Sequence, residues 1–220
     1  MLQTPIPIEE NNEPLVSLAY YSPRIKVYPF YYHQKINGSL PDCYVRAGVA
    51  ERLVQAAERL DDGYTLVVLD GWRPLSVQQA LYDQFKSVLL AQGWREGEEL
   101  FAELSKYVAK PSVEPDRPSR HLTGGAVDVT IAGPNGWLDM GTAFDDFTER
   151  ARTHYFEQVD KPDDHALYIR TNRRLLHRLM AEAGFTNYSE EWWHYDFGNQ
   201  AWALQTGQPA ALYGGILSLE

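Results

Sequence analysis

The sequence predicts a single α+β domain in which helices flank a central, mainly antiparallel sheet. Two segments, TLVVL at residues 65 to 69 and AVDVTI at residues 126 to 131, have the composition of buried strands. Apolar residues recur at helical spacing from residue 49 to 60, and again over residues 171 to 183. These helices and strands follow one another without the regular rhythm of βαβ units, which favours α+β over a parallel α/β sheet.

The first half of the chain adds three signals to this outline. Residues 1 to 14 are polar and contain prolines, and we expect them to form an extended arm. Ser76 and Gln79 have the spacing of a capping box, which predicts that a helix begins there and presents an apolar face. We expect a further helix over residues 97 to 108.

The second half of the chain is expected to alternate between loop, strand and helix. Three prolines between residues 111 and 119 predict an irregular loop that leads into the strand at 126 to 131. Gly184 is expected to end the helix over residues 171 to 183. The run WWHYDF at residues 192 to 197 predicts a final core strand.

The composition describes one globular domain and excludes some classes of partner. The chain has 220 residues, 44% of them hydrophobic, and a net charge of -10, which opposes binding to nucleic acid or to anionic membranes. The single cysteine, Cys43, cannot form an intramolecular disulfide, and the first residues lack the basic and apolar regions of a signal peptide. No apolar run is long enough to span a membrane, so we expect a cytoplasmic protein.

The stretch SRHLTGGAVDVT places a histidine and an aspartate seven positions apart, around two glycines. An odd separation puts His121 and Asp128 on opposite faces of an unbroken strand, so the chain must turn for the two side chains to meet. Gly124 and Gly125 allow that turn because glycine adopts backbone conformations closed to other residues. His194, in the apolar run EEWWHYDF, offers a third ligand. Two imidazoles and one carboxylate suit Zn²⁺ with a water in the fourth position.

Glu191, three residues before His194, is a candidate general base for that water. Strand alternation would put the two side chains on opposite faces, so we expect Glu191 to lie in the turn before the strand. Asp128 has a second interpretation. A carboxylate flanked by valines needs a cationic partner, and Arg73 in a structural ion pair would serve as well as a metal.

Two stretches resemble the signatures of the zinc D-alanyl-D-alanine peptidases. SRHLTGGAVD at residues 119 to 128 fits the pattern SxHxxGxAxD, and EWWH at 191 to 194 fits ExxH. DGWRP at 70 to 74 and LDMGTAFDDF at 138 to 147 are most similar to the VanX-type D-Ala-D-Ala dipeptidases, and the resemblance covers roughly residues 40 to 200. It implies the fold shared by hedgehog and D,D-peptidase domains, one Zn²⁺ per chain and a small D,D-dipeptide as substrate.

The resemblance also implies a role for individual residues. His121, Asp128 and His194 correspond to the zinc ligands, and Glu191 corresponds to the base that passes a proton from water to the leaving amine. Arg73 corresponds to the residue that hydrogen-bonds the substrate's carbonyl oxygen as it becomes an oxyanion.

Two further residues are expected to contact the substrate. Asp145, in FDDF, corresponds to the acidic residue that binds the free ammonium of a dipeptide, a contact that separates dipeptidases from carboxypeptidases. An aspartate at this place also has a simpler interpretation as a helix cap. Ser119 is expected either to hold substrate or to orient the loop that carries the metal ligand.

Our leading hypothesis from the sequence is a zinc-dependent enzyme that hydrolyses D-Ala-D-Ala to two D-alanines. One alternative is a D,D- or L,D-carboxypeptidase that trims peptidoglycan stem peptides with the same metal centre. Another is a zinc-containing binding module without catalysis. Glu191 and Arg73 together speak against the binding module, because a protein that only binds needs no base beside the water.

Overall fold

The computed structural model describes residues 6–105, 108–146 and 148–219. The strands in this part of the chain are β1 (Leu15–Ser17), β2 (Ile25–Val27), β3 (Tyr44–Arg46), β4 (Thr65–Asp70), β5 (Ala126–Gly133), β6 (Gly136–Trp137), β7 (Thr186–Asn187) and β8 (His194–Asp196). The α-helices are α1 (Phe30–His33), α2 (Ala47–Glu58), α3 (Leu75–Ala91), α4 (Glu98–Leu104), α5 (Asp164–Glu182) and α6 (Gln200–Thr206). Short 3-10 turns cover His121–Thr123, Glu149–Ala151 and Tyr155–Glu157.

One six-stranded sheet organises the molecule. Its strands run in the order β2-β4-β5-β8-β7, and β6 pairs with the far end of β5. Strand β2 is parallel to β4, whereas the pairs β4-β5, β5-β8 and β7-β8 are antiparallel. Strands β1 and β3 form a separate antiparallel pair. The predicted fold class, α+β with a mainly antiparallel sheet and flanking helices, is confirmed.

The two faces of β5 have different surroundings. Val127, Val129 and Ile131 are fully buried and belong to the main hydrophobic core, which also contains residues of α2 and α5. Because side chains alternate along a strand, Asp128 points to the opposite face. The apolar residues therefore anchor the strand while its other face remains available for a polar site.

Two helices begin at other residues than the sequence predicts. Helix α3 starts at Leu75 with Pro74 as its N-cap, and no side chain caps it, so the predicted capping box at Ser76 is wrong. The carbonyl oxygen of Pro74 accepts hydrogen bonds from Val77 N at 3.0 Å and Gln78 N at 3.1 Å, so the first turn of the helix forms before Ser76 could cap it. Helix α5 starts at Asp164, seven residues earlier than predicted, because the Asp163 carboxylate accepts a hydrogen bond from Ala166 N at 2.8 Å.

The other differences lie at the ends of elements. Helix α4 spans Glu98–Leu104, and residues 106 and 107 of the predicted helix over 97 to 108 lie outside the described residues. The last predicted strand, residues 192 to 197, is shortened to His194–Asp196 because a turn precedes it. In the described parts of the chain no helix combines the length and apolar character needed to cross a membrane.

The described part of the amino-terminal segment, residues 6 to 14, runs along the carboxyl-terminal segment. Ile8 forms a parallel bridge with Ala211, and Glu9 N donates to Ala211 O at 2.8 Å. Glu10 and Arg46 form an ion pair at 2.9 Å. These contacts attach the segment to β3, close to the loop that enters the candidate site. Residues 1 to 5 of the predicted arm lie outside the described residues.

Candidate metal centre

The turn between the first two candidate ligands depends on the predicted pair of glycines. His121 opens the 3-10 turn His121–Thr123, which ends at Gly124 in the left-handed conformation with a φ of 69°. A Cβ on Gly124 would lie 2.5 Å from Leu15 Cδ2, and a Cβ on Gly125 would lie 2.5 Å from Phe197 O. Both the backbone conformation and the close packing therefore require glycine, and the predicted turn is confirmed.

The other two ligands face each other across the sheet. Asp128 of β5 is paired directly with His194 of β8, so the two side chains share one face of the sheet. Together with His121 they form a buried group whose candidate ligand atoms all lie within 4.8 Å of one another. The exposed fractions of His121, Asp128 and His194 are 7%, 2% and 4%. The structure thus brings together the three residues that the sequence predicts as metal ligands.

The hydrogen bonds around the two imidazoles indicate which nitrogens face the centre of this group. His121 Nδ1 lies 2.8 Å from the carbonyl oxygen of Gly71, which can only accept a hydrogen bond, so Nδ1 carries the proton. On His194, Nε2 lies 3.1 Å from Asp196 Oδ1 and donates to it. The remaining nitrogens, His121 Nε2 and His194 Nδ1, are 3.2 Å apart, and His194 Nδ1 is 3.1 Å from Asp128 Oδ1.

Two imidazole lone pairs and a carboxylate so close together repel one another unless a positive charge lies between them. Burial, followed by the charge of Arg73, lowers the pKa of His121 to about 3, which keeps this imidazole neutral. Burial opposes protonation of His194, yet Asp196 and Asp128 raise its pKa to about 10. The group attracts either a proton or a metal cation, and its donor set of two imidazoles and one carboxylate fits a divalent zinc ion.

Glu191 lies beside this group in the turn that precedes β8, and that predicted position is confirmed. Its N–H donates to Tyr188 O at 3.0 Å, and its carbonyl accepts from His194 N at 3.4 Å. The turn places Glu191 Oε2 3.8 Å from His194 Nδ1. Burial raises the pKa of the Glu191 carboxyl group to about 8, and the charge of Asp128 adds to this effect.

Arg73 follows β4 and is held by several acceptors. Its Nε donates to Asp70 Oδ2 at 2.7 Å, and its Nη1 donates to Gln78 Oε1 at 2.8 Å. Its Nη2 lies 3.4 Å from both Tyr31 Oη and Asp128 Oδ2. The ion pair between Arg73 and Asp128 therefore exists, but it involves only Oδ2. Asp128 Oδ1 contacts His194 instead, so the ion pair and the metal-ligand group share the same carboxylate.

Asp145 is connected to Arg73 through the hydroxyl group of Tyr31. It adopts a left-handed backbone conformation with a φ of 61°, which aspartate tolerates better than most residues. Tyr31 Oη donates to Asp145 Oδ1 at 3.2 Å. The simpler interpretation of Asp145 as a local cap does not fit, because the neighbouring Asp146 accepts the backbone hydrogen bond from Thr148 N at 2.8 Å. Phe147, the last residue of the predicted motif, lies outside the described residues.

Ser119 connects the two ends of the proline-rich loop. Its Oγ accepts a hydrogen bond from Ser112 N at 3.1 Å, and Ser119 N lies 3.5 Å from Ser112 O. This contact holds the loop immediately before His121. Ser119 also contributes to the wall of the same cavity as the candidate ligands.

One cavity joins all the residues that the sequence predicts. It has a volume of about 610 Å³, and its wall includes Arg73, Ser119, His121, Asp128, Asp145, Glu191 and His194. The rest of the wall is largely hydrophobic. It includes the aromatic residues Phe30, Phe144 and Trp193, and the α3 residues Leu81, Phe85 and Val88. The predicted residues come from widely separated parts of the chain, and the fold assembles them around one space.

The comparisons with known proteins identify the family. The family model described as D-ala-D-ala dipeptidase, Peptidase_M15, matches residues 41–210. The chain belongs to this family. A D-alanyl-D-alanine dipeptidase of Synechocystis sp. is 30% identical over 220 residues, which cover 92% of this chain and 89% of that protein. The D-alanyl-D-alanine dipeptidase of Enterococcus faecium is 30% identical over 154 residues, or 67% of this chain and 69% of that protein.

A solved structure is also similar to this member of the Peptidase_M15 family. It is a vancomycin resistance D,D-pentapeptidase in complex with Zn(II), with a TM-score of 0.43 and 19% sequence identity. The match covers 78% of this chain and 83% of that one. The family assignment rests on the family model and the dipeptidase relatives, which confirm the resemblance expected from the two motifs.

The structure of this Peptidase_M15 member also reveals polar residues around the site that the sequence analysis did not assign. Asp196 accepts from His194, and Asp70 and Gln78 hold Arg73. Tyr31 links Arg73 to Asp145. Asp196 had a detectable signal, since it lies two residues after His194 on a strand and must share its face. Tyr31 had none, because its contacts are with residues far away in the sequence.

Proposed function

We propose that this protein is a zinc-dependent dipeptidase that hydrolyses D-Ala-D-Ala to two D-alanines. The observation that carries the proposal is the convergence of a buried two-histidine, one-carboxylate group with Glu191 and Arg73 on a single cavity. The family membership supports the choice of substrate. We further propose that residues 1 to 220 form one domain around this cavity. The single, buried and unpaired Cys43 supports a cytoplasmic location.

His121, Asp128 and His194 would hold the metal ion. A bound Zn²⁺ supplies Lewis-acid chemistry, lowering the pKa of water and polarising a carbonyl group. The protein contributes the orientation of its ligands. Gly71 O holds the His121 ring at Nδ1, and Asp196 Oδ1 holds the His194 ring at Nε2, in each case the nitrogen that does not face the ligand group. Such outer contacts set the tautomer and direction of ligand imidazoles.

Glu191 is the proposed general base and acid. It lies close enough to the ligand group to accept a proton from the attacking water, and the same carboxyl group can then deliver that proton to the leaving amine. Burial raises the pKa of this carboxyl group, and a divalent cation held by the neighbouring ligands would lower it again and favour the ionised form that accepts a proton. Its position in a turn, rather than on the strand, lets it reach the same space as His194.

Arg73 is the proposed stabiliser of the developing oxyanion. Its guanidinium group is oriented by Asp70 and Gln78 before any substrate arrives, and Nη2 is the nitrogen nearest the ligand group. A positive charge that is already in place costs no reorganisation when negative charge develops on the carbonyl oxygen. We therefore assign the Nη2 side of Arg73 to the scissile carbonyl.

Asp145 is the proposed partner of the substrate's ammonium group. Asp70, Asp128, Asp145 and Glu191 place four carboxyl groups around one guanidinium group, that of Arg73. Burial is the main reason why the pKa of Asp145 rises to about 7 and that of Asp70 to about 6, and Asp128 raises both further. A divalent cation and a substrate ammonium group would compensate this excess of negative charge.

The size of the cavity favours the carboxypeptidase alternative. The cavity of about 610 Å³ lies within the ~300–1,000 Å³ range of pockets that bury drug-sized ligands, and is larger than two alanines require. Asp145 argues for the dipeptidase, because a longer peptide brings no ammonium group to this carboxylate. The binding-module alternative leaves both Glu191 and the ordered Arg73 without a use.

The test compares free D-Ala-D-Ala with its N-acetylated form, using zinc-loaded protein and measuring released D-alanine. We expect rapid hydrolysis of the free dipeptide and at least roughly 100-fold slower hydrolysis of the acetylated one, since the latter leaves a buried charge unpaired. The variant Asp145→Asn should reduce that ratio. Equal rates for the two substrates would support the carboxypeptidase instead, and a zinc-loaded protein that hydrolyses neither would leave only the binding module.

A further inference from the structure

A zwitterionic dipeptide needs a cation for its carboxylate as well as an anion for its ammonium group. The proposed function supplies Asp145 for the ammonium group and assigns no residue to the carboxylate. Among the described residues that line the cavity, Arg73 and Arg120 are the two with a guanidinium group, and none is a lysine. These two arginines are therefore the candidates for the carboxylate.

Arg73 is poorly suited to this task because the proposed function already assigns its Nη2 side to the scissile carbonyl, while Nε and Nη1 are held by Asp70 and Gln78. Its Nε, Nη1 and Nη2 each contact an acceptor of the protein, and its side chain is only 10% exposed. A substrate carboxylate would have to displace Asp70, Gln78 or Asp128 from it. Displacing a buried partner leaves that partner unsatisfied, which costs more than the new contact gains.

Arg120 is more exposed than Arg73 and makes fewer hydrogen bonds with the described part of the protein. Its side chain is 38% exposed, and in the described part of the chain its one side-chain hydrogen bond runs from Nη1 to Asp196 Oδ2, at 3.1 Å. The guanidinium plane lies over the ring of Tyr188, with Cζ 4.4 Å from the ring centroid. A guanidinium group has five N–H donors, so most of them remain for a ligand. The ion pair and the aromatic ring hold the group in place at the cavity wall.

Arg120 and Asp145 are joined to the ligand group by separate chains of hydrogen bonds, which reach it at different residues. Starting from Asp145, hydrogen bonds lead to Tyr31, then to Arg73 and then to Asp128. From His194, which contacts the other oxygen of Asp128, they lead to Asp196 and finally to Arg120. The scissile carbonyl, near Arg73 and the metal ligands, would lie between an anionic end and a cationic end. This is the charge order of a dipeptide zwitterion.

We infer that Arg120 binds the carboxylate of the dipeptide substrate. The inference rests on the proposed function for the substrate class, and Arg120 acts as a binding residue with no part in proton transfer. A carboxylate can accept two parallel hydrogen bonds from a guanidinium group, which a lysine ammonium group cannot reproduce. Since Asp196 contacts both Arg120 and His194, the binding of a carboxylate is linked to the orientation of a metal ligand through one buried side chain.

The experiment compares D-Ala-D-Ala with its carboxyl-terminal amide in zinc-loaded wild type, Arg120→Gln and Arg120→Lys. We expect the wild type to prefer the free acid by roughly 10- to 100-fold in kcat/KM, the range for hydrogen bonds to a charged group. Arg120→Gln should lose this preference through a higher KM for the acid, so that the ratio of kcat/KM between acid and amide falls toward one. Arg120→Lys should retain part of it. Arg152→Gln, at an exposed arginine paired with Glu190 away from the cavity wall, is the control.

A binding measurement separates this inference from the proposed function. Calorimetric titration of Glu191→Ala with the acid and with the amide, with and without Arg120→Gln, reports carboxylate recognition in the absence of turnover. Zinc content and thermal unfolding are measured for every variant. The inference is overturned if the wild type treats acid and amide alike, or if Arg120→Gln loses zinc and affects both substrates equally. If D-Ala-D-Ala binds with the expected preference and is not cleaved by the wild type, the carboxylate site stands and the dipeptidase proposal fails.

Discussion

In the ligand group, Asp128 and His194 face each other on paired strands, whereas Asp145 and Arg120 reach the same cavity from irregular segments. The register of β5 and β8 fixes the positions of Asp128 and His194. His194 also contacts Asp128 through Nδ1 and Asp196 through Nε2. Asp145 depends on a left-handed backbone conformation, and Arg120 precedes a single 3-10 turn. The positions of Asp128 and His194 are therefore set by sheet geometry, while the proposed contacts with the two ends of a substrate come from irregular segments, which differ more easily between relatives.

We expect the largest loss of rate from Glu191, which belongs neither to the pair on the sheet nor to the two residues from irregular segments. Glu191→Gln removes the proposed base and keeps the size of the side chain, and we expect kcat to fall by about 10²- to 10⁴-fold with zinc content unchanged. Steady-state kinetics with metal analysis tests this. Glu190→Gln is the matched control, because Glu190 is an exposed neighbour paired with Arg152. Normal activity in Glu191→Gln would show that another group moves the proton.

Arg73 connects the two regions, and its replacement should affect the rate more than binding. Arg73→Gln removes the charge proposed to face the carbonyl oxygen, and we expect kcat to fall by about 10²- to 10³-fold with a smaller change in KM. A variant whose KM rises while kcat is unchanged would indicate that Arg73 binds the ground state instead. Circular dichroism is needed alongside, since Arg73 also compensates the buried carboxylates Asp70 and Asp128.

Replacing Asp196 tests whether metal binding by His194 depends on the hydrogen bond that its Nε2 donates to Asp196. Asp196→Asn keeps the shape but weakens the hydrogen bond to His194 Nε2, and we expect zinc affinity to fall by about 10- to 100-fold. Competition with a chelator, measured on the protein without substrate, reports the affinity directly. Asp139→Asn is the control, because Asp139 accepts from the exposed His165 at 2.7 Å, on a different part of the surface. Equal zinc affinity in both variants would remove Asp196 from the metal site.

The same comparison explains how much of the site could be predicted from the sequence. The ligands lie in short local patterns, and the glycine turn and strand alternation decide where their side chains point. Glu191 could be placed in a turn by the same alternation. Tyr31 could not be predicted, because it reaches Arg73 only through the packing of α1 against β4. Gln78 is close to Arg73 in the sequence, but its contact depends on where α3 begins. Strand alternation also puts Asp196 on the same face as His194, although it does not by itself assign a role to the aspartate.

The errors in the fold have a similarly local origin. Helix α5 extends seven residues before its predicted start. In its first two turns Ile169 is buried but Leu167 and Tyr168 are exposed, so the apolar residues there do not form the regular one-sided pattern by which the rest is detected. The predicted capping box at Ser76 is wrong because Pro74 is the N-cap and the helix already begins at Leu75. Propensity and pattern predict that an element exists, while its ends depend on which neighbouring residue satisfies the free N–H groups.

Ser119 provides the smallest expected effect and distinguishes its two predicted roles. If its hydroxyl only ties the loop to Ser112, Ser119→Ala should lower the melting temperature by a few degrees, consistent with about 1 kcal/mol for one hydrogen bond, and leave KM within about twofold. If the hydroxyl also contacts the dipeptide, KM for D-Ala-D-Ala should rise several-fold with the same change in stability. Ser112→Ala is the matched comparison, because it leaves the Ser112 N–H that donates to Ser119 and removes a second loop contact, from Ser112 Oγ to Arg117 O at 2.7 Å. If both substitutions leave KM unchanged, the 3-10 turn and the contact of His121 with Gly71 O position this histidine without the Ser112–Ser119 contact, and the two hydroxyl groups serve only stability.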